Sequence, residues 1–386
     1  MTTTRRSVLG LLGASGAVLA TSGAVRADTG SARIPAALRP GGEFDRFVKE
    51  QADRDAFSGS LLLTYRGRPV LARSYGRAND AAANGPDTRF ALASVTKMFT
   101  AVAIGQLAQA GKVAYDRTLG TYLSGFPADI ANTVTIHHLL THTSGLGDTF
   151  SLPGYLETAA TWTSVEQVMD GTTDFIRRSS LGFPAGTRFS YSNAGYHLLG
   201  AIVAQASGRS YYDYVREHVF RAAGMTGTDF YTMPQWRTDS RMAHPYAKQP
   251  SGPRVDAIDL RMFVGTPAGD AFSTAADMGR FALALQGAKL LSPVFTDITL
   301  SGKVPATPPG PPPAGGAPPV FQCYGPITAS VRNQWVTGHS GGFPGTATDL
   351  QMYPGSQWVS VILSNYDYDQ GVPPPVFAKA RELLTA

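Results

Sequence analysis

Apolar residues alternate with polar ones near both ends of the chain and recur at helical spacing between them. Near the start, SGSLLLTYRGRPVLARSYGRAN reads as two strands around a turn at Gly67, preceded by a helix over GGEFDRFVKEQADRDAF. Near the end, QWVTGHS, GTATDLQMYP and SQWVSVILSN read as strands, with Pro354-Gly355 as a turn and PPVFAKARELLTA as a closing helix. In SVTKMFTAVAIGQLAQAGK, Val95, Met98, Phe99, Val102 and Leu107 fall on helical spacing, and Gly111 is placed to end the helix. TVTIHHLLTHTSG, NAGYHLLGAIVAQASG and STAADMGRFALALQGAKLLS are also helical in pattern, and Ser210 caps SYYDYVREHVFRAAG. Residues 303–321, KVPATPPGPPPAGGAPPVF, hold too many prolines for regular hydrogen bonding and read as a solvated, partly extended loop. Strands at both ends with helices between them predict an α/β chain of the α+β type. It has an antiparallel sheet flanked by N- and C-terminal helices, and an inserted, mostly helical region.

Composition changes this picture little, except at the N-terminus. The 386 residues are 43% hydrophobic and 16% charged, enough for a substantial core. No stretch reaches the ~20 apolar residues of a membrane-spanning helix. MTTTRRSVLGLLGASGAVLATSGAVRA has a basic front, a short Gly- and Ala-rich apolar middle, and small residues at Val25 and Ala27. Residues 1–27 are thus expected to be an export signal, and 28–386 the working domain. Arg5-Arg6 resembles a twin-arginine signal; an ordinary secretory leader is the alternative. Cleavage after Ala27 removes three arginines and no acid, leaving 30 basic against 28 acidic residues, a formal charge of +2 rather than +5. The basic balance is therefore largely leader and gives no reason to expect nucleic acid or a stable membrane anchor. Cys323 is alone, which excludes an intrachain disulfide.

Two serines compete as nucleophile. GHSGG, Gly338 to Gly342, spells the G-x-S-x-G elbow, which needs a helix beginning at the serine and a histidine later in the chain. Gly341, Gly342, Pro344 and Gly345 oppose that helix, and His339 is the last of the seven histidines. The elbow reading fails. Ser94 stands three residues before Lys97, in the chain's single S-x-x-K, so both side chains share one face near a helix N-terminus. A lysine whose pKa is lowered by burial can take a serine's proton. In FSYSNAGYH, Tyr191 and Asn193 flank Ser192 in a turn before a helix, where both can face one cleft. His137, His138 and His142 raise a metal site, with His138 and His142 one helical turn apart. A third ligand and the H-E-x-x-H carboxylate are missing, so no metal and no cofactor is expected. Phe150 and Trp162 are candidates to line the cleft, and Tyr211, Tyr212 and Tyr214 are expected to pack.

SVTK, YSN and HSG, in that order, together with LLTHTSGL, PAGTRFSYSNAGYHLLGAIV and GHSGGFPG, resemble the penicillin-recognising serine hydrolases. These are class C β-lactamases, D-alanyl-D-alanine carboxypeptidases and related esterases and D-aminopeptidases. The likeness runs from about Phe44 to the C-terminal helix. It implies an acyl-enzyme in which Ser94 attacks and Lys97 with Tyr191 handles the proton. Asn193, His339, Ser340, Gly341 and Gly342 would bind substrate, with the N–H groups of Ser94 and Gly342 as an oxyanion hole. Two departures matter. His339 stands where most true β-lactamases carry a lysine, so a permanent cation for a substrate carboxylate is missing. There is also no SDN, and no acidic residue is placed to position a deacylating water. A carboxypeptidase-like or esterase-like hydrolase of a small-molecule or peptide substrate is expected; a true β-lactamase and a non-catalytic ligand-binding relative are the alternatives. The sequence leaves the substrate and the oligomeric state open.

Overall fold

A computed structural model of the protein describes residues 34–306, 319–368 and 374–386. The expected export signal and the middle of the proline-rich segment lie outside the described residues. After helix α1 (Glu43–Asp53) come strands β1 (Gly59–Tyr65) and β2 (Arg68–Tyr75), turning at Gly67 with φ of 74°. The central region holds helices α2 (Lys97–Gln109), α3 (Asn193–Ser207) and α4 (Ala275–Gln286). Strands β3 (Val304–Pro305), β4 (Val320–Gln322), β5 (Ile327–Val331), β6 (Gln334–Phe343), β7 (Thr346–Tyr353) and β8 (Trp358–Ser364) follow, and helix α5 (Pro375–Leu384) closes the chain.

The eight strands form one sheet in the order β2-β1-β8-β7-β6-β5-β4-β3, with every pairing antiparallel. The first strand thus lies beside the last, with Leu61 opposite Ile362. Alternation along β1 separates two layers. Leu61 lies opposite Arg73, whose guanidinium binds Asp45 of α1, so the terminal helices cover that face. Leu62, one residue on, meets Gly279 of α4 on the other face. Ser192 caps α3 through the Gly195 N–H, and Gly208 ends it at φ 72°. Helix α2 is buried on nearly every side and forms the centre of the core. Tyr211, Tyr212 and Tyr214 are buried and pack, as expected. Among the described residues no helix is long and apolar enough to cross a membrane.

Two expectations need correction. Both ends of the proline-rich segment are strands, Val304 pairing with Gln322 and Pro305 with Phe321. Pro305 lies on the outermost strand, where its missing N–H costs no ladder bond, and Lys303 and Ala306 supply donors on either side. His138 and His142 do not share a helix face. The helix there, Ile136–Leu140, ends before His142, which sits at φ 57°.

Candidate active site

Ser94 lies in a 3-10 turn, Ala93–Thr96, and Lys97 is the first residue of α2, so the helix begins three residues later than its pattern predicts. The turn is pinned from two sides. The Ala271 N–H donates to Thr96 Oγ1 at 3.0 Å, and the Asp270 N–H donates to the Ala93 carbonyl at 3.2 Å. From the sheet, Thr348 Oγ1 donates to the Leu92 carbonyl at 2.8 Å. Ala93 is held at φ 44°, a conformation that costs a non-glycine residue energy and persists here because its neighbours dictate it. Gly341 makes the approach of β6 possible. A Cβ there would stand 2.4 Å from the Leu92 carbonyl oxygen.

Lys97 is completely buried. Its Nζ is 3.1 Å from Ser94 Oγ, 2.7 Å from Asn193 Oδ1 and 2.6 Å from the Ala268 carbonyl. Burial holds its pKa down to about 7, against the opposing fields of Asp148 and Asp270. Asn193 cannot turn its amide round, because Nδ2 donates to Asp148 Oδ1 at 3.0 Å. Asn193 therefore holds the lysine amine, and it also lines the cleft. Tyr191 lines the cleft beside Ser94, and its ring centre is 4.8 Å from Lys97 Nζ. Crowding around its hydroxyl pushes the phenol pKa up, although 37% of the residue stays exposed on the cleft side. Beneath it lies the His142 ring at 4.4 Å, whose Nδ1 accepts the Ser192 N–H at 3.1 Å. His142 thereby fixes the turn that carries Tyr191. His137 and His138 are likewise engaged locally, with the Tyr324 hydroxyl and the Thr135 N–H.

The third segment lies on β6. Pairing with β5 stops at Gly338, whereas pairing with β7 continues to Phe343, so His339 to Phe343 have one open edge. His339 is buried; its Nδ1–H donates to the Ser340 carbonyl at 2.6 Å. Burial and the nearby Lys97 lower its pKa to about 4, so the imidazole is neutral at neutral pH. Ser340 and Gly342, on the alternate pleat, line the cleft with Ser94 and Tyr191. A second lobe beside Ser94 is walled by Phe150, Tyr155, Leu156, Met262 and Phe343, with the buried Arg261 and its half-buried partner Asp270 at its edge. Phe150 is at the cleft, as anticipated. Trp162 instead packs on Tyr155 and Gly171.

Ser94, Lys97, Tyr191, Asn193, His339, Ser340, Gly341 and Gly342 are thus brought together around one cleft. Sequence reasoning missed Asp148, the Ala268 carbonyl, Asp270 and Asp349. Asp148, Ala268 and Asp270 act across dozens of residues of chain, and Asp349 meets Ser340 only once two strands have paired. Among the described residues no group of His, Cys, Asp and Glu is arranged to hold a metal ion.

A helix-flanked antiparallel sheet with Ser94 and Lys97 at the head of a buried helix is the frame of a serine hydrolase. The chain belongs to the beta-lactamase family, whose model matches residues 44–383. It is 35% identical over 184 residues to penicillin-binding protein 4* of Bacillus subtilis, covering 46% of this chain and 39% of that protein. Over 201 residues it is 31% identical to penicillin-binding protein 4 of Amycolatopsis lactamdurans, covering 51% and 50%. The chain spans about half the length, or less, of these curated relatives. A penicillin-binding protein structure from Bacillus halodurans aligns with TM-score 0.73 at 29% identity, covering 87% of this chain and 99% of that one. The D-amino acid amidase of Ochrobactrum anthropi shares the fold, with TM-score 0.71 at 22% identity over 89% and 98% of the chains.

Proposed function

We propose that the protein is an exported hydrolase of amide or ester carbonyls, working through an acyl-enzyme on Ser94 and resembling D-alanyl-D-alanine carboxypeptidases or esterases in its substrates. One observation carries this reading: the three neighbours of the Lys97 amine. A neutral amine has two hydrogens and one lone pair. The Ala268 carbonyl and Asn193 Oδ1 can only accept, so they take the hydrogens, and the lone pair is left for Ser94. Ser94 Oγ then attacks the carbonyl carbon while its proton passes to Lys97. The N–H groups of Ser94 and Gly342 stabilise the oxyanion. Tyr191, between Ser94 and the open cleft, returns the proton to the leaving nitrogen or oxygen as its bond to carbon breaks. Water completes the cycle by the same route in reverse.

The neutral His339 favours this reading over a true β-lactamase, since no lysine stands at that position to meet a β-lactam carboxylate. The leader at residues 1–27 supports export, with the twin-arginine route preferred for its paired arginines. Intact-mass measurement after incubation with a p-nitrophenyl ester, a penicillin and a D-alanyl-D-alanine peptide tests the proposal. At least one acyl group should add to the mature protein and none to Ser94→Ala, whereas Ser340→Ala should still be acylated. The reverse pattern would refute it.

A further inference from the structure

The third-segment serine is tied to a buried carboxylate across the sheet. Ser340 lies directly opposite Asp349 of β7, and its Oγ is 2.8 Å from Asp349 Oδ1. Asp349 is 3% exposed. The same Oδ1 also accepts the Gln351 side-chain amide at 2.8 Å. Burial raises the pKa of Asp349, and the Gln351 amide, the Arg381 charge and the Ser340 hydroxyl act against that rise. An ionised carboxylate can only accept, so the hydrogen between Ser340 and Asp349 is then the serine's. A carboxylate holds a hydroxyl proton more firmly than a neutral acceptor does.

Ser340 thus turns lone pairs, not its hydrogen, toward the cleft it lines with Ser94, Tyr191 and Gly342. A substrate carboxylate seated there would meet a hydroxyl oxygen, with the Asp349 carboxylate directly behind it. Two cations share this lobe, Arg332 and Arg381. Arg332 bonds the Glu382 carbonyl from the rim. The charge of Arg381 acts on both Asp349 and Tyr353, and its buried Nε has no hydrogen-bond partner.

We infer that Asp349 determines leaving-group specificity: by holding the Ser340 proton it makes the cleft accept a leaving group that is uncharged or presents an N–H donor, and disfavour one bearing a carboxylate. This rests on the acyl-enzyme reading above and narrows it toward amides and esters without a free carboxylate beyond the scissile bond.

The test uses two aryl esters of N-acetyl-D-alanine, with 3-hydroxybenzamide or 3-hydroxybenzoate as leaving group. They share the scissile bond and differ in one charge. Phenol release, in the burst or in turnover, gives the acylation rate constant for each. The mature wild-type protein should prefer the carboxamide at least tenfold. In Asp349→Asn the charge that holds the proton is gone, so the preference should shrink fivefold or more. Ser340→Ala removes the hydroxyl whose proton Asp349 holds, so the preference should shrink there as well. A wild-type preference near one, or for the benzoate, overturns the inference and makes Arg381 the anchor for an anion. Preference unchanged in a folded Asp349→Asn overturns it equally. Failure of both esters and of the p-nitrophenyl ester to acylate Ser94 overturns the hydrolase reading, and this inference with it.

Discussion

An amine held by two fixed acceptors can offer its lone pair in only one remaining direction, and for Lys97 that direction is Ser94. The acid limb of the reaction follows from this. Acylation needs the uncharged amine, so the rate should fall as pH drops below about 7 and level off above it; pre-steady-state kinetics with a p-nitrophenyl ester would reveal that limb. The charge on Asp148 raises the lysine's pKa, so Asp148→Asn should move the midpoint to lower pH, and a shift upward would contradict the assignment. Lys97→Ala should slow acylation by roughly 10²–10⁴-fold, the usual range for removing a general base. The residues of the three motifs were legible because Ser94 and Lys97, like Tyr191 and Asn193, are placed by spacings of two or three residues. Asp148 and Asp349 were not legible. Each meets its partner only after the chain has folded back, and nothing in their own neighbourhoods marks them.

The turn that carries Ser94 depends on how closely β6 approaches it. Gly341 is where β6 touches Leu92 and Ala93; a methyl group there would also lie 2.5 Å from Thr348 Oγ1. Gly341→Ala should destabilise the protein by about 1–3 kcal/mol, the range for overpacking a well-filled site, and slow acylation by displacing Ser94. Gly342, next along the strand, has open space where its Cβ would be. Gly342→Ala should therefore leave the melting temperature nearly unchanged; equal losses in the two variants would argue against this view of the strand. The elements themselves were mostly legible. The strand pairs around Gly67 and Pro354-Gly355, the helix capped by Ser192 and the closing helix all lie where their periodicity predicts. The exceptions arose where pairing with a distant segment overrode local preference. Proline at an outer strand is acceptable because that strand owes no donor outward, and only the sheet reveals which strand is outermost.

The sheet ties the two ends of the polypeptide into one cooperative body. Leu61 on β1 is buried opposite Ile362 on β8, so a cavity there weakens a joint between segments some 300 residues apart. Leu61→Ala should cost about 2–5 kcal/mol. Far-UV circular dichroism and tryptophan fluorescence should still report one coincident denaturant transition; two separated transitions would mean that the terminal strands unfold apart from the helical region. Periodicity, capping residues and S-x-x-K spacing are properties of neighbours along the chain, so the strands, the helices, the Ser94–Lys97 pair and the failure of the GHSGG elbow could be read from the amino acids alone. Charge state and proximity are different in kind. Complete burial brings Lys97 near pH 7 and makes His339 neutral, the Ala268 carbonyl orients the amine, and Asp349 accepts the hydrogen bond of Ser340. These depend on which distant groups exclude water from one another, and that arises only when the chain has closed around them.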